Sequence, residues 1–264
     1  MLIFLLLPAG QVIVGGFKDI EGGWTLDNLA TLFDEPYRTD FRTSIEVSLV
    51  TAVLGGLLGF LIAYAAIRDG TPRWLRATFT TFSGVAAQFG GIPLAFAFIA
   101  TLGTIGVVTE LMTELGFNPY DHGFTVFSKT GIELAYLYFQ IPLMLLVISP
   151  AIDGLKREWR EAAANLGATP AQFWRHIGIP VLMPSLLGAM ILLFGNSFAA
   201  YATAYGLTAG SVELVPIRIG FFYTGDVLSN PHLGEALAVG MFVVLAVMML
   251  LYIPLQRRAS RWAK

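Results

Sequence analysis

The chain has 264 residues, of which 56% are hydrophobic and 13% charged, with a mean hydropathy of +0.70 and a formal net charge of −2. So few charges cannot cover a water-soluble globule of this length, so lipid must cover much of the surface. The absence of cysteine excludes a disulfide framework, a thiol nucleophile and a Cys-based metal site, and basic residues scattered over several loops without interleaved aromatics exclude a nucleic-acid surface.

A spanning helix needs about 20 mainly apolar residues at roughly 1.5 Å each. On that basis the sequence predicts one all-α membrane domain over residues 1–264 with six spans: Met1–Phe17, Ser44–Ile67, Phe79–Leu102, Gly131–Ile152, Val181–Thr208 and Leu233–Leu255. The first lacks the basic flank and small-residue cleavage pattern of a signal peptide, so it is read as a retained helix. Eleven of the sixteen basic residues (Arg68, Arg73, Arg76, Lys156, Arg157, Arg160, Arg175, Arg257, Arg258, Arg261 and Lys264) fall on one side of these spans. Lys18, Arg38, Arg42, Lys129 and Arg218 fall on the other. The richer side is the cytoplasmic one, which puts both termini in the cytoplasm. The outer connections Lys18–Thr43 and Gly103–Thr130 read as polar, partly structured caps with turn signals at Glu35-Pro36 and Asn118-Pro119.

Between spans four and five, the connection 153–180 has a helical pattern of its own. Glu158–Leu166 is rich in helix formers, Gly167 can end that turn, and Thr169 before Pro170 has the form of an N-cap followed by Pro at the first helical position. Trp159, Ala163 and Leu166 share one side of the first helix and Phe173 and Ile177 one side of the second, with Arg157, Arg160, Glu161 and Arg175 supplying charge. Periodicity alone fits two readings equally: an interfacial helix anchored by Trp159, Phe173 and Trp174, or a segment that docks a partner.

The order Glu161-Ala162-Ala163, Gly167, and then Ile177-Gly178-Ile179-Pro180 resembles the EAA motif of permease subunits of type I ABC importers, with Ile179 standing where that family usually has Leu. The resemblance extends through the six-span plan. It implies a coupling helix that docks a dimer of cytoplasmic ABC ATPases through Glu161, Ala162, Ala163, Gly167, Ile177 and Pro180. The small Ala side chains permit close approach, Gly167 permits the bend, and Glu161 offers a charge to the partner. It further implies a second permease subunit (a homologous heterodimer ahead of a homodimer), an extracytoplasmic substrate-binding protein, and a place in the bacterial inner membrane.

No catalytic role is expected of the chain itself. The nearest P-loop spacing, Gly10–Gly15 followed by Gly16-Phe17-Lys18, lacks the required Lys-Ser/Thr pair. No cofactor or metal is expected here; ATP and Mg belong to the partner ATPase. His122, His176 and His232 are far apart and read as loop or interface residues, and no Ser motif has the form of a nucleophile elbow.

The fifth span contains the polar run Phe194–Thr208. On a continuous helix Ser197, Tyr201, Tyr205 and Thr208 would share a face, with Asn196 and Thr203 beside them. Lining a translocation pathway and hydrogen-bonded helix packing with Ala199, Ala200, Ala202 and Ala204 fit that run equally. Gly55, Gly59, Gly90 and Gly91 read as packing or bend glycines, and Gln88 and Gln140 as packing or pathway residues. This run and Leu214-Val215-Pro216-Ile217 are similar to the spermidine/putrescine-like branch of the same permeases, which also contains relatives for iron(III), thiamine and phosphonate. A polyamine is therefore the first expected cargo. Thirteen acidic against five basic residues on the outer side favour a cation, and Tyr201 and Tyr205 could face an ammonium. A membrane scaffold that uses the 153–180 loop only to hold a partner is the reading from another class.

Overall fold

The computed structural model describes residues 2–67, 71–224 and 230–260. Met1, Arg68, Asp226, Arg261 and Lys264, which enter the span and charge readings above, lie outside them. The described chain is helical: α1 (Leu2–Gly16), α2 (Asp27–Thr31), α3 (Tyr37–Ile67), α4 (Arg73–Gln88), α5 (Gly91–Leu102), α6 (Val107–Glu114), α7 (Lys129–Asp153), α8 (Arg157–Asn165), α9 (Pro170–Phe173), α10 (Ile179–Phe198), α11 (Ala202–Thr208), α12 (Val215–Thr224) and α13 (Pro231–Ser260). Among the described residues five helical stretches are long and apolar enough to cross a membrane: Tyr37–Ile67, Gly91–Glu114, Lys129–Asp153, Pro170–Phe198 and His232–Pro254.

Three expected spans come out differently. The first is a helix of 15 described residues, Leu2–Gly16, shorter than the five stretches above. Phe79–Leu102 is not continuous: α4 ends at Gln88, Phe89 is extended, and Gly91 takes φ +72°, a left-handed value that glycine adopts without a Cβ penalty. Val181–Thr208 is also interrupted, since α10 stops at Phe198 and α11 begins at Ala202. In the second and third cases tertiary contacts accompany the break.

The helices form two compact units. In the unit made of Met1–Val47, Gly91–Ile132 and Phe198–Val247, α11 packs on α5 through small residues. A Cβ on Gly206 would lie 2.9 Å from that of Ala95, and one on Gly91 would lie 3.7 Å from that of Ala202. The Gly91 N–H, among the first N–H groups of α5 that no intrahelical carbonyl can serve, donates to Thr203 Oγ1 at 2.8 Å. That bond and the close approach hold α11 on α5. Helix α12 is fixed to α3 in the same unit. Arg218 Nε and Nη2 donate to the two Asp40 carboxylate oxygens at 2.7 and 3.1 Å, and Ser44 Oγ accepts the Val215 N–H at 2.9 Å, capping the start of α12 from another helix. Asp40 is fully buried, and its hydrogen bonds hold the Arg218 guanidinium above its ordinary pKa.

The second unit comprises Ser48–Gly90, Glu133–Ser197 and Met248–Lys264. Here α3 meets α7 along Gly55 and Gly59, four residues apart on one helical face. A Cβ on Gly55 would lie 2.7 Å from Gln140 Cβ, and one on Gly59 would lie 2.6 Å from both the Ile141 carbonyl oxygen and Met144 Cβ. In lipid, where burying an apolar group gains little over leaving it in the hydrocarbon, this close packing and the polar bonds inside it hold the helices together. The bonds are Gln140 Nε2 donating to the Leu193 carbonyl at 2.8 Å and the Thr51 and Ser197 hydroxyls meeting at 2.9 Å. Gly59→Leu is expected to cost about 1–3 kcal/mol by overpacking, seen as a lower Tm of the detergent-purified chain; an unchanged Tm would contradict the packing role.

Candidate functional site

The segment after α7 folds as helix, bend, helix. Helix α8 ends in a left-handed C-terminal motif: Gly167 has φ +79°, its N–H donates to the Ala164 carbonyl at 2.9 Å, and the Ala168 N–H reaches the Ala163 carbonyl at 2.9 Å. Two residues on, the chain restarts. Thr169 caps α9 in a reciprocal capping box with Gln172, and Pro170 occupies the first turn, as the sequence predicts.

A π-helical turn, Trp174–Gly178, follows, in which the Ile179 N–H bonds the Trp174 carbonyl five residues back. The next residue, Pro180, has no N–H to give, so the widened turn forms where a regular helix would lose a bond anyway. Gly178 is required there for a steric reason: a Cβ would lie 2.5 Å from Trp174 Cε3. The Trp174 ring in turn stands edge-on to Tyr64 of α3, with centroids 4.9 Å apart. Arg160 of α8 lies 5.7 Å from the centroid of the buried Phe173 ring, joining the two short helices across the bend.

Together α8 and the following helix enclose a groove of about 770 Å³ whose lining includes Trp159, Leu166, Phe173 and Ile177. Of the six residues assigned to coupling, Ala162, Ala163, Gly167 and Ile177 line this groove. Glu161 does not. It stands on the exposed side of α8, where its carboxylate accepts from Arg157 Nε at 2.8 Å one turn earlier, a surface pair that a stronger cationic partner can displace. Pro180 sits half-buried at the start of α10. One contact in this unit carries no local sequence signal: an ion pair between Arg76 of α4 and Asp153 at the end of α7.

The residues assigned to a pathway do not lie on one continuous helix, which breaks between Phe198 and Ala202. Ser197 is buried against Thr51, Thr203 against the Gly91 N–H, and Thr208 donates to the Ala204 carbonyl at 2.9 Å. These three hydroxyls hold structure together. Gln140 is likewise buried in packing, whereas Gln88 is exposed. Asn196 is also exposed. Tyr201 and Tyr205 are exposed too, their rings stacked with centroids 5.3 Å apart and planes 18° from parallel, and Phe221 of α12 meets Tyr205 edge-on at 6.3 Å. Gly220 makes room for this cluster, since a Cβ would lie 2.9 Å from the Tyr201 ring. The three histidines are each engaged locally: His122 with the Asn118 carbonyl, His176 with the Gln172 carbonyl, and His232 with Glu235.

The chain is 25% identical over 225 residues to a probable sulfate transport system permease protein from Nephroselmis olivacea, covering 84% of this chain and 71% of that one. It is 30% identical over 182 residues to a spermidine/putrescine transport system permease homolog from Mycoplasma pneumoniae, covering 69% of this chain and 58% of that one. The fold is similar to that of a bacterial ABC transporter involved in the import of the acidic polysaccharide alginate, with a TM-score of 0.74 at 17% identity over 97% of this chain and 91% of that one. Residues 55–262, which include both the EAA-like segment and the polar run, match the family of binding-protein-dependent transport system inner membrane components. The chain belongs to that family, and is an ABC importer permease subunit.

Proposed function

We propose that this chain carries a small solute from a binding protein through the bacterial inner membrane, driven by a cytoplasmic ATPase dimer that engages the coupling loop 153–180. The observation that carries the proposal is the capped helix-bend-helix with its groove. Both ends of the bend are capped, and small residues (Ala162, Ala163 and Gly167) line the face offered to a partner. Closure of the ATPases around ATP would move such a lever as one body, and the differential affinity of the ATPase for the two states supplies the switching free energy. The eleven-to-five basic asymmetry supports a cytoplasmic location for this loop and both termini. One coupling loop per chain calls for a second permease, read here as a homologous partner, to engage the second ATPase.

Polyamine is the proposed cargo. Support comes from the 30% identical spermidine/putrescine permease homolog and from the exposed Tyr201–Tyr205 stack, whose ring faces attract ammonium groups. A second reading, an oxyanion, is favoured by the match to the probable sulfate permease. Uptake into proteoliposomes holding the complete complex separates them. ATP-dependent accumulation of labelled spermidine, with sulfate left outside, is expected. Sulfate accumulation without spermidine would overturn the polyamine assignment, and failure of any candidate solute to enter would overturn the transport reading.

A further inference from the structure

The connection expected as a polar cap, Lys18–Thr43, runs into α3 from Tyr37 and exposes large apolar side chains in its first part, 18–36. Trp24 is 74% and Phe33 79% exposed, and Ile20 and Leu26 are exposed beside them. Exposed Trp and Phe at the end of a spanning helix are the pattern of a segment seated at the membrane–water boundary. Beneath this segment, within the same unit, lies a groove of about 510 Å³ lined by Phe33, Phe41, Ile45, Val239 and Val243, with Arg38 as its charged residue. Gly240 lets the Phe41 ring form part of the wall, because a Cβ there would lie 2.6 Å from Phe41 Cζ.

The groove has a direction. Arg38 stands in the first turn of α3, and Ile45, seven residues further along the same helix, is about 10 Å deeper into the apolar stretch. A basic group at the boundary above an apolar trough has the layout of a phospholipid, a phosphate above an acyl chain. Arg38 does not stand alone. Glu35 lies 3.5 Å from its Nε, both side chains are exposed, and Glu35 also accepts from the Thr39 hydroxyl at 2.7 Å. The mouth therefore offers one positive and one negative group side by side, which complements a headgroup that itself carries both charges. A purely anionic headgroup would meet the Glu35 carboxylate.

We propose that this groove holds one zwitterionic membrane phospholipid, its acyl chain along Phe41, Ile45 and Val243, its phosphate on Arg38 and its ammonium on Glu35. The site is separate from the coupling segment and from the Tyr201–Tyr205 stack, and it seats the 18–36 connection on the bilayer through a bound lipid.

The test uses the full chain in nanodiscs containing a trace of phosphatidylethanolamine with a photoreactive acyl chain, and maps the adducts by mass spectrometry. Adducts are expected on 41–45 and 239–244 at about three times or more the density on the exposed Leu57–Leu61 face of α3, the ratio for a site only modestly tighter than bulk lipid contact. Val243→Trp, which fills the groove from an exposed position, is expected to remove that excess and leave the Leu57–Leu61 adducts unchanged. Arg38→Gln and Glu35→Gln should each lower it. Uniform labelling along α3, or no groove adducts because protein covers it, would overturn the proposal. Phosphatidylglycerol of the same chain labelling the groove as strongly as phosphatidylethanolamine would overturn the headgroup assignment.

Discussion

Gly167→Pro is expected to abolish ATP-driven uptake while the chain still inserts and folds. Gly167 sits at φ +79° and its N–H closes the end of α8 on the Ala164 carbonyl. Proline can supply neither the dihedral nor the donor, since its ring fixes φ near −65° and it has no N–H, a loss of ~3 kcal/mol or more where a helix depends on both. The bend lies outside the apolar spans, so the cost falls on the geometry offered to the ATPase rather than on membrane insertion. If ~3 kcal/mol is taken from the docked state, association weakens roughly a hundredfold. Gly167→Ala is the graded control: an L-residue in a left-handed conformation costs about 1–2 kcal/mol, so partial uptake should remain. Glu161→Ala should also impair coupling, but less, because its partner in this chain is an exposed arginine one turn away. The checks are ATPase co-purification and uptake by the reconstituted complex. Wild-type uptake by the proline variant would show that the bend is not the coupling element.

The second large effect is expected at Asp40→Ala. The carboxylate is fully buried and receives both hydrogen bonds of a bidentate Arg218 fork. Removing it strands a guanidinium whose side chain is only 26% exposed, with Glu213 3.6 Å away as a weaker substitute. Breaking a buried pair from one side costs ~3–5 kcal/mol, and the partial exposure of Arg218 puts this case at about the lower figure. The consequence reaches beyond stability. Helix α12 carries Gly220 and Phe221, which pack against Tyr201 and Tyr205, so loosening it releases the aromatic cluster. Asp40→Leu combined with Arg218→Met should recover most of the lost Tm, because no unpaired charge remains. A double variant no more stable than Asp40→Ala would refute the ion-pair explanation.

The readable and unreadable parts of this molecule divide by the range of the forces involved. Thr169-Pro170 and Gly167 announce their caps within four residues, and both caps form. The grouping of Trp159, Ala163, Leu166, Phe173 and Ile177 is likewise legible from helical spacing, and all five line one groove. The break at Phe89–Gly91 is half legible, since Gly90 and Gly91 offer a bend as readily as close packing, and the one at Ala199–Tyr201 is not, because the local sequence is as compatible with a continuous helix as with an interrupted one. What holds α11 on α5 is the approach of Gly206 to Ala95 and the Thr203 bond to Gly91, residues more than a hundred positions apart. For the same reason the hydrogen bonds that Ser197 and Thr203 make with Thr51 and Gly91 cannot be read from helical arithmetic, nor can the place of Phe221 in the exposed aromatic cluster. The Asp40–Arg218 pair shows the limit most clearly: each residue reads as an isolated charge in an outer connection until the fold joins them.

If the loop 153–180 meets the ATPase, the absence of native cysteine allows a direct measurement. Leu166→Cys places a single thiol at the bend, on a side chain that is 88% exposed. Ile105→Cys places one at an equally exposed position in the other unit. With a short bifunctional cross-linker in membranes holding the assembled complex, the thiol at 166 is expected to join the ATPase and the thiol at 105 is not. Cross-linking from 105, or none from 166 in a complex that still transports, would contradict the account.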